Sequence, residues 1–416
     1  MVHVASGTLN KNMFYKNHNF MKNSFLPCKK ALCTVLSILV LGVMGTTCMH
    51  AQTYFTIGQL YYQINADSVS ATLIGHVDGT EAAGEIIIPS SINYNGNDYP
   101  VTRIGKNAFI SCGRLTGPLT IPNTVISIGE NAFLACSGLT KLQLGSALDT
   151  IGPAAFYGCK GFTGSLTIPN SVRAVEIAAF YGCNGFTGAL TIGNGLNRIE
   201  NAAFYKCNGF SSLDLGDAVT SIATAAFWDC TGFSGSLTIP NSMTVVEPNA
   251  FRNCSGFTGK LTLGSGLESL GGETFRNCSG FTEVVSLATV PPVFTFEDVF
   301  AGFSCTKLTV PCGCVAAYQN SEWHDYFTTI IDDCSSVPEL DETMVTVFPN
   351  PTRGTLEIKA EDIEAVSIYN MLGEKLFEAS TGGNRFQYDF SPHGVGVYLV
   401  RIQTEKGTVT KRVVVE

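Results

Sequence analysis

The sequence predicts a mainly β protein: a solenoid of about ten short parallel strands with an irregular or short-helical convex side, followed by a small carboxy-terminal β-sandwich. Three observations predict it. An Ala-Phe pair three residues ahead of a cysteine, first seen as Ala108-Phe109-Ile110-Ser111-Cys112, returns at Cys136, Cys159, Cys183, Cys207, Cys230, Cys254 and Cys278, in steps of 23 or 24 residues. Only Thr274 replaces the alanine. A fixed period of that length marks stacked coils, since one coil buries its apolar side only against its neighbours. Each copy also holds an alternating apolar pair, as a short strand requires. After residue 343, strand-like runs are separated by glycine-rich turns, the pattern of a small sandwich.

Composition narrows the function. With 45% apolar and 14% charged residues the 416-residue chain fills a core, and 43 glycines fit a turn-rich protein. The formal charge is -9, and the first 51 residues contain five lysines and no acid. A chain cut there has 20 basic against 34 acidic residues, a net charge of -14. Nucleic-acid binders cluster Lys and Arg to displace counterions from phosphates, and no such stripe follows residue 51. No nucleic-acid partner is expected.

Residues 1–51 read as a secretory signal, with Met21 as an alternative start: Lys22, Lys29 and Lys30 precede the apolar run Ala31 to Gly45, and cleavage is expected between Ala51 and Gln52. Fifteen apolar residues are too few to span a bilayer, and no second hydrophobic stretch supports an anchor. Residues 52–84 alternate apolar and polar around Asn65-Ala66-Asp67 and are expected to form a β cap over the first coil.

The solenoid is expected over residues 85–333. Its inward strand pairs are Ile86/Ile88, Leu119/Ile121, Leu142/Leu144, Leu166/Ile168, Leu190/Ile192, Leu213/Leu215, Leu237/Ile239, Leu261/Leu263, Val285/Leu287 and Leu308/Val310. The step from Ile88 to Ile121 is 33 residues, and the surplus holds Asn95-Gly96, a strong hairpin signal. The glycine two residues after most of the cysteines, such as Gly161 and Gly185, is expected to supply a positive-φ turn. Residues 334–344 are polar and aperiodic and read as a linker, and 345–416 form the sandwich.

These residues resemble two known families. The pattern carried by Leu119, Ile121, Pro122, Asn123, Val125, Ile128, Phe133 and Cys136 looks like the BspA-like leucine-rich repeats of bacterial surface proteins. The tail with Leu308, Pro311, Ala317, Tyr318, Trp323 and Phe327 is similar to the segment that closes such arrays. Phe348-Pro349-Asn350-Pro351-Thr352-Arg353-Gly354, Ile368 to Gly373, Gly396-Val397-Tyr398 and the terminal run to Glu416 resemble the type IX (Por) secretion sorting domain. The first resemblance implies a curved surface solenoid often used in adhesion. The second implies passage across an outer membrane by the type IX machinery, usually with later removal of this domain.

Candidate sites fall into three sets. The outward strand position reads Thr120, Gln143, Thr167, Thr191, Asp214, Thr238 and Thr262, a face suited to hydrogen bonding, although threonine is also a good strand former. The residue after each Phe drifts from Ile110 and Leu134 through Tyr157, Tyr181, Tyr205 and Trp228 to Arg252 and Arg276. Aromatic and arginine side chains are enriched at binding hot spots, and the competing reading is that they cover the Phe column. Cys305, Cys312, Cys314 and Cys334 lie outside the repeat column and are expected to form one or two disulfides. Cys312 and Cys314 are too close to pair with each other, so Cys305 and Cys334 are their partners in either order.

No catalytic constellation stands out. His76, His324 and His393 are isolated in sequence, and Glu176, Glu200 and Glu247 share a repeat position better read as a solvated turn than as an acid pair. The repeat cysteines lack the close spacing and accompanying histidines of a zinc site and read as buried, unbridged thiols. No enzyme activity, cofactor or metal is expected. The reading is an exported cell-surface repeat protein that binds an unidentified protein or glycan; a structural surface-layer component without a ligand is the alternative, and a hydrolase the weakest.

Overall fold

The computed structural model describes residues 53–77, 82–334, 345–371, 373–405 and 407–416. The predicted signal segment, its Ala51–Gln52 cleavage point and the linker beyond Cys334 lie outside them. The chain divides into two compact units, one up to Leu308 with Ala317–Thr329, the other Thr309–Ala316 with Ile330–Glu416.

In the first unit each coil makes two parallel ladders. The expected one joins strands such as Leu166–Ile168 and Ala189–Ile192, with Leu166 beside Leu190 and Ile168 beside Ile192. The other stacks two-residue strands, among them Ser127–Ile128, Thr150–Ile151 and Ala174–Val175, in register along the axis. A two-residue strand is too short to show alternation, so the sequence pattern reveals only its one inward residue.

The third side of the coil is the AFxxC segment, which is turn rather than helix. Its N–H groups donate to the following coil: Phe109 to the Ala132 oxygen (2.7 Å), Phe133 to Ala155 (2.8 Å) and Phe156 to Ala179 (2.8 Å). This fixes each Phe one coil above the last. The column from Phe109 to Phe300 stacks with ring centroids 5.1 to 5.6 Å apart. Such pairs add about 0.5–1.5 kcal/mol each beyond their burial.

The glycine expectation needs correcting. Gly161 and Gly185 are not among the positive-φ residues; each AFxxC segment has two left-handed positions, the residue before its Ala, for example Ala178 (φ 55) and Ala202 (φ 52), and the residue before its cysteine, for example Gly182 (φ 69) and Lys206 (φ 58). Gly185 is glycine for another reason. A Cβ there would lie 2.1 Å from the Lys160 oxygen and 2.6 Å from the Phe162 oxygen of the preceding coil. Close backbone approach, not φ, requires it.

At the amino-terminal end, Tyr54–Ile57, Leu60–Ile64 and Ala71–His76 form an antiparallel meander. Ala71–His76 then pairs in parallel with Asn97–Ile104, so the meander extends the second ladder. The Asn95-Gly96 hairpin forms as expected: Tyr94 faces Asn97, and both turn residues have positive φ.

At the other end, the inward pair Val285/Leu287 is corrected to Val284/Ser286. Strand Glu283–Ser286 sets Val284 beside Leu261 and Ser286 beside Leu263, leaving Leu287 exposed. This step lacks the glycine that Gly259 supplies one coil earlier, and a one-residue slip exchanges the two faces. The buried Ser286 hydroxyl is satisfied by Tyr318 Oη at 2.7 Å, which donates to the Ala288 oxygen (2.8 Å), while Trp323 Nε1 donates to the Pro292 oxygen (2.9 Å). Two aromatic residues thus cap backbone carbonyls of the last coil.

In the second unit, Thr346–Phe348, Thr355–Lys359 and Arg385–Asp389 form one antiparallel sheet; Lys375–Ser380, Ile363–Asn370, Gly396–Thr404 and Gly407–Val415 form another. Their shared core includes Leu356, Ile358, Val366, Ile368, Phe390, Val400, Ile402 and Val413. Two of these strands, Lys375–Ser380 and Arg385–Asp389, escaped the sequence reading; their apolar residues are only half-buried. The Asn350 carboxamide pins the last strand, donating to the Arg412 oxygen (2.7 Å) and accepting from the Val414 N–H (2.9 Å). Among the described residues, no helix is long and apolar enough to cross a membrane.

Candidate binding surfaces

The outward strand column is only partly a site. Thr167, Thr191 and Asp214 come together along one open depression of about 490 Å³; Thr120, Gln143, Thr238 and Thr262 project from the same kind of strand outside it. The depression follows from the residue after each inward Ile or Leu, which runs Pro122, Gly145, Pro169, Gly193, Gly216, Pro240, Gly264. Where two glycines succeed one another, two proline rings are missing. Gly193 and Gly216 line the depression there, beside Pro169.

A second polar column completes the lining and was missed from sequence: Asn170, Asn194 and Asp217. Its signal was the short polar residue after each Pro or Gly: Asn123, Ser146, Asn170, Asn194, Asp217, Asn241 and Ser265. The Asn170 Oδ1 accepts the Asn194 N–H (2.9 Å), and the Asn194 Oδ1 accepts the Asp217 N–H (3.3 Å), so each side chain is fixed to the next coil. Asp214 Oδ1 accepts the Gly216 N–H at 3.0 Å. The result is a pre-set row of hydroxyl, carboxamide and carboxylate groups, able to exchange hydrogen bonds with a polar surface.

The column after the Phe residues is a continuous stack. Tyr157 lies 4.5 Å from Tyr181, Tyr181 4.7 Å from Tyr205, Tyr205 meets Trp228 edge-on at 5.4 Å, and the Arg252 guanidinium sits 4.7 Å over the indole. Arg252 also pairs with Glu273, which binds Arg276 (2.7 Å), and Arg276 reaches Asp298 (2.9 Å). The ring faces are largely used by neighbouring rings, and the hydroxyls of Tyr157 and Tyr181 bond each other while that of Tyr205 meets Asp229. Burial pushes the Tyr205 hydroxyl up to about 12 and raises those of Tyr157 and Tyr181.

Two of the shared-position glutamates are structural. Arg198 binds Glu200 (3.0 Å) and, two coils on, Glu247 (2.7 Å), whose other oxygen accepts from the Thr224 N–H and hydroxyl (3.0 and 2.9 Å). Burial opposes the Glu247 charge, but Arg198 and Thr224 together hold its carboxyl below the usual range. His393 receives its partner from the fold, Tyr388 Oη at 2.6 Å.

The repeat thiols from Cys136 to Cys278 are buried, and each donates to the carbonyl of the Phe one coil back at 3.0–3.1 Å. Burial pushes the Cys278 thiol up to about 12 and the others well above the ordinary value. Outside the column, Cys312 is joined to Cys334. The expected bridging of Cys305 and Cys314 is not seen: the Cys305 sulfur is turned to the Thr282 and Lys307 oxygens (3.5 and 3.3 Å), and that of Cys314 to the Cys312 oxygen (3.8 Å).

Stacked coils with inward leucines, a Phe spine and a strand-lined polar face define a leucine-rich-repeat solenoid. The chain belongs to the BspA type leucine-rich repeat family, whose model matches residues 102–234, 161–282 and 197–320, and residues 346–416 match the secretion system C-terminal sorting domain. That domain implies export to the cell surface or secretion, through the type IX machinery. Similar solved structures include a leucine-rich cell surface protein from Faecalibacterium prausnitzii (21% identity, TM-score 0.40, 68% of this chain and 95% of that one). A leucine-rich repeat protein from Bacteroides capillosus is 36% identical over 29% of this chain and 84% of its own (TM-score 0.25), and one from T. pallidum 22% identical over 53% and 86% (TM-score 0.38). No curated protein matches the chain.

Proposed function

We propose that this is an exported cell-surface protein that binds a macromolecular partner through the strand face of its solenoid and catalyses no reaction. The observation that carries this reading is the depression where Thr167, Thr191 and Asp214 meet Asn170, Asn194 and Asp217. It is open and polar, the adjoining coils present Gln143 and Thr238 at the same outward position, and its two carboxamides are held in place by coil-to-coil hydrogen bonds. Such a surface suits a large, hydrogen-bonding partner of adhesion, such as a protein or glycan, better than a small apolar ligand. In this reading residues 1–51 direct the first export step, residues 52–84 cap the coils, 334–344 act as a linker and 345–416 engage the type IX machinery.

The test is retention of matrix proteins, serum proteins or other bacterial cells by the purified chain. Retention is expected, and a Thr191→Ala, Asn194→Ala, Asp214→Asn triple variant is expected to abolish it while keeping the native circular dichroism spectrum, at a melting temperature lowered by the lost Asp217 N–H bond. A chain that retains nothing, or a triple variant that binds as well as the parent, overturns the reading. The stack from Tyr157 to Arg276 is the second surface, favoured by its half-exposed aromatic and arginine side chains. Retention lost in a Tyr181, Tyr205 and Trp228→Ser variant, and not in the first, assigns binding to it instead. Self-association without any ligand favours a surface-layer component.

A further inference from the structure

We infer that Cys312, Cys314 and Cys334 form a thiol–disulfide exchange site, in which Cys314 is the resident nucleophile and a thiol of a second molecule is the group taken on covalently. All three residues belong to one compact unit. Cys312 and Cys334 are bonded and both exposed, whereas Cys314 retains its thiol and is half-buried. An accessible disulfide thus lies two residues in sequence from a retained thiol.

One turn carries Cys312 and Cys314; the Cys314 sulfur lies outside the group of atoms within 4.8 Å of one another that Cys312, Cys334 and Asp332 form, so the attack needs that turn to move. Pro311 to Cys314 is a tight turn, closed by the Cys314 N–H on the Pro311 oxygen (3.0 Å) with Gly313 at φ 78. The same bend therefore carries one half of the disulfide and the thiol, whose sulfur lies 3.8 Å from the Cys312 oxygen. Across the turn, Asp332 accepts the Gly313 N–H (3.2 Å), and its carboxylate lies within 4.8 Å of both bonded sulfurs. Those sulfurs are committed to each other, so this set of groups is not a metal site in this state.

The exchange is balanced without any oxidant. The deprotonated Cys314 sulfur attacks the Cys334 sulfur; the Cys314–Cys334 bond forms as the Cys312–Cys334 bond breaks, and the electron pair leaves on Cys312, which takes up the proton Cys314 gave up. The bonded residues are 22 apart before and 20 apart after, so the two closed loops differ little. An external thiolate attacks in the same way and leaves a mixed disulfide and one new protein thiol. Asp332 restrains both reactions, because the leaving thiolate is born beside its negative charge. The repeat thiols cannot take part, being sealed in the core.

The test uses the full chain, never reduced, incubated at pH 8 with and without glutathione, quenched with acid and N-ethylmaleimide, and mapped by mass spectrometry. Expected are both Cys312–Cys334 and Cys314–Cys334 peptides, a glutathione adduct on this cluster, and several-fold faster adduct formation in Asp332→Asn. Cys314→Ser, at a half-exposed position, is expected to keep the melting temperature and show the Cys312–Cys334 linkage alone. Finding Cys314 already bonded to another cysteine such as Cys305, or a single linkage that persists with no adduct, overturns the proposal.

Discussion

The Cys207 thiol donates to the Phe180 carbonyl oxygen at 3.0 Å, joining the most repeated polar atom of one coil to the most repeated ring of the coil before it. A column of such thiols is chemically quiet. Each stays neutral because burial opposes its charged form.

Alkali is therefore expected to unfold the solenoid. The folded thiols hold their protons more tightly than unfolded ones, so their contribution is complete below the unfolded value of about 8.5 and is lost as pH rises towards the raised folded values, about 12 for Cys278. Each thiol that must stay protonated costs about 1.4 kcal/mol per pH unit in that window. Circular dichroism should show a cooperative loss of structure between pH 9 and 12, with thiol alkylation tracking it. Alkylation at those pH values of a chain that stays folded would refute the burial argument.

Gly182→Ala and Gly185→Ala should differ sharply although three residues apart. At Gly182 a Cβ meets nothing within 4 Å and the cost is the left-handed φ, about 1 kcal/mol. At Gly185 it meets two carbonyl oxygens at 2.1 and 2.6 Å, so coils must separate and the loss should exceed about 3 kcal/mol. Urea unfolding of the two variants decides.

Phe180→Ala should cost about 3–5 kcal/mol, since the ring is fully buried and stacked on Phe156 and Phe204 at 5.1 and 5.3 Å. In a chain of nearest-neighbour coils the damage is local. Hydrogen exchange should quicken in the adjoining coils before it does near Phe109 or Phe275; uniform quickening would contradict the nearest-neighbour picture.

Arg198→Ala should destabilise by about 1 kcal/mol at low salt and less at high salt, because its partners are partly solvated. Glu247 contributes above the ordinary carboxylate range and loses its contribution as pH falls through its lowered folded value. The variant should therefore lose part of the acid limb of its stability curve. Melting temperatures between pH 3 and 7 measure it.

Asn350→Ala should loosen the terminal strand by about 1–2 kcal/mol, as the Arg412 oxygen and Val414 N–H lose one shared partner. Deuterium uptake at residues 412–416 should rise while the core around Val400 stays protected. Unchanged uptake would mean that Thr352, which also bonds Val414 and Glu416, suffices.

Much of this is legible in the sequence. Period located the Phe and Cys columns, and Asn95-Gly96 located its hairpin, because each depends on a few adjacent residues. The second ladder was hidden by strands of two residues, and the Val284/Ser286 phase by one absent loop glycine. Gly185 looked like a turn residue because sequence does not distinguish a glycine needed for φ from one needed for contact with another coil.

The sequence by itself determined the length of a coil and hence which side chains repeat inside it, since burial in a solenoid recurs with the chain's own period. Only the tertiary structure decided that Asn194 and Asp217 join Thr191 at one depression, that Arg198 reaches Glu247 across two coils, and that Cys312 and not Cys314 bonds Cys334. Those relations run between coils or across turns, where distance is set by stacking and hydrogen bonding rather than by separation along the chain.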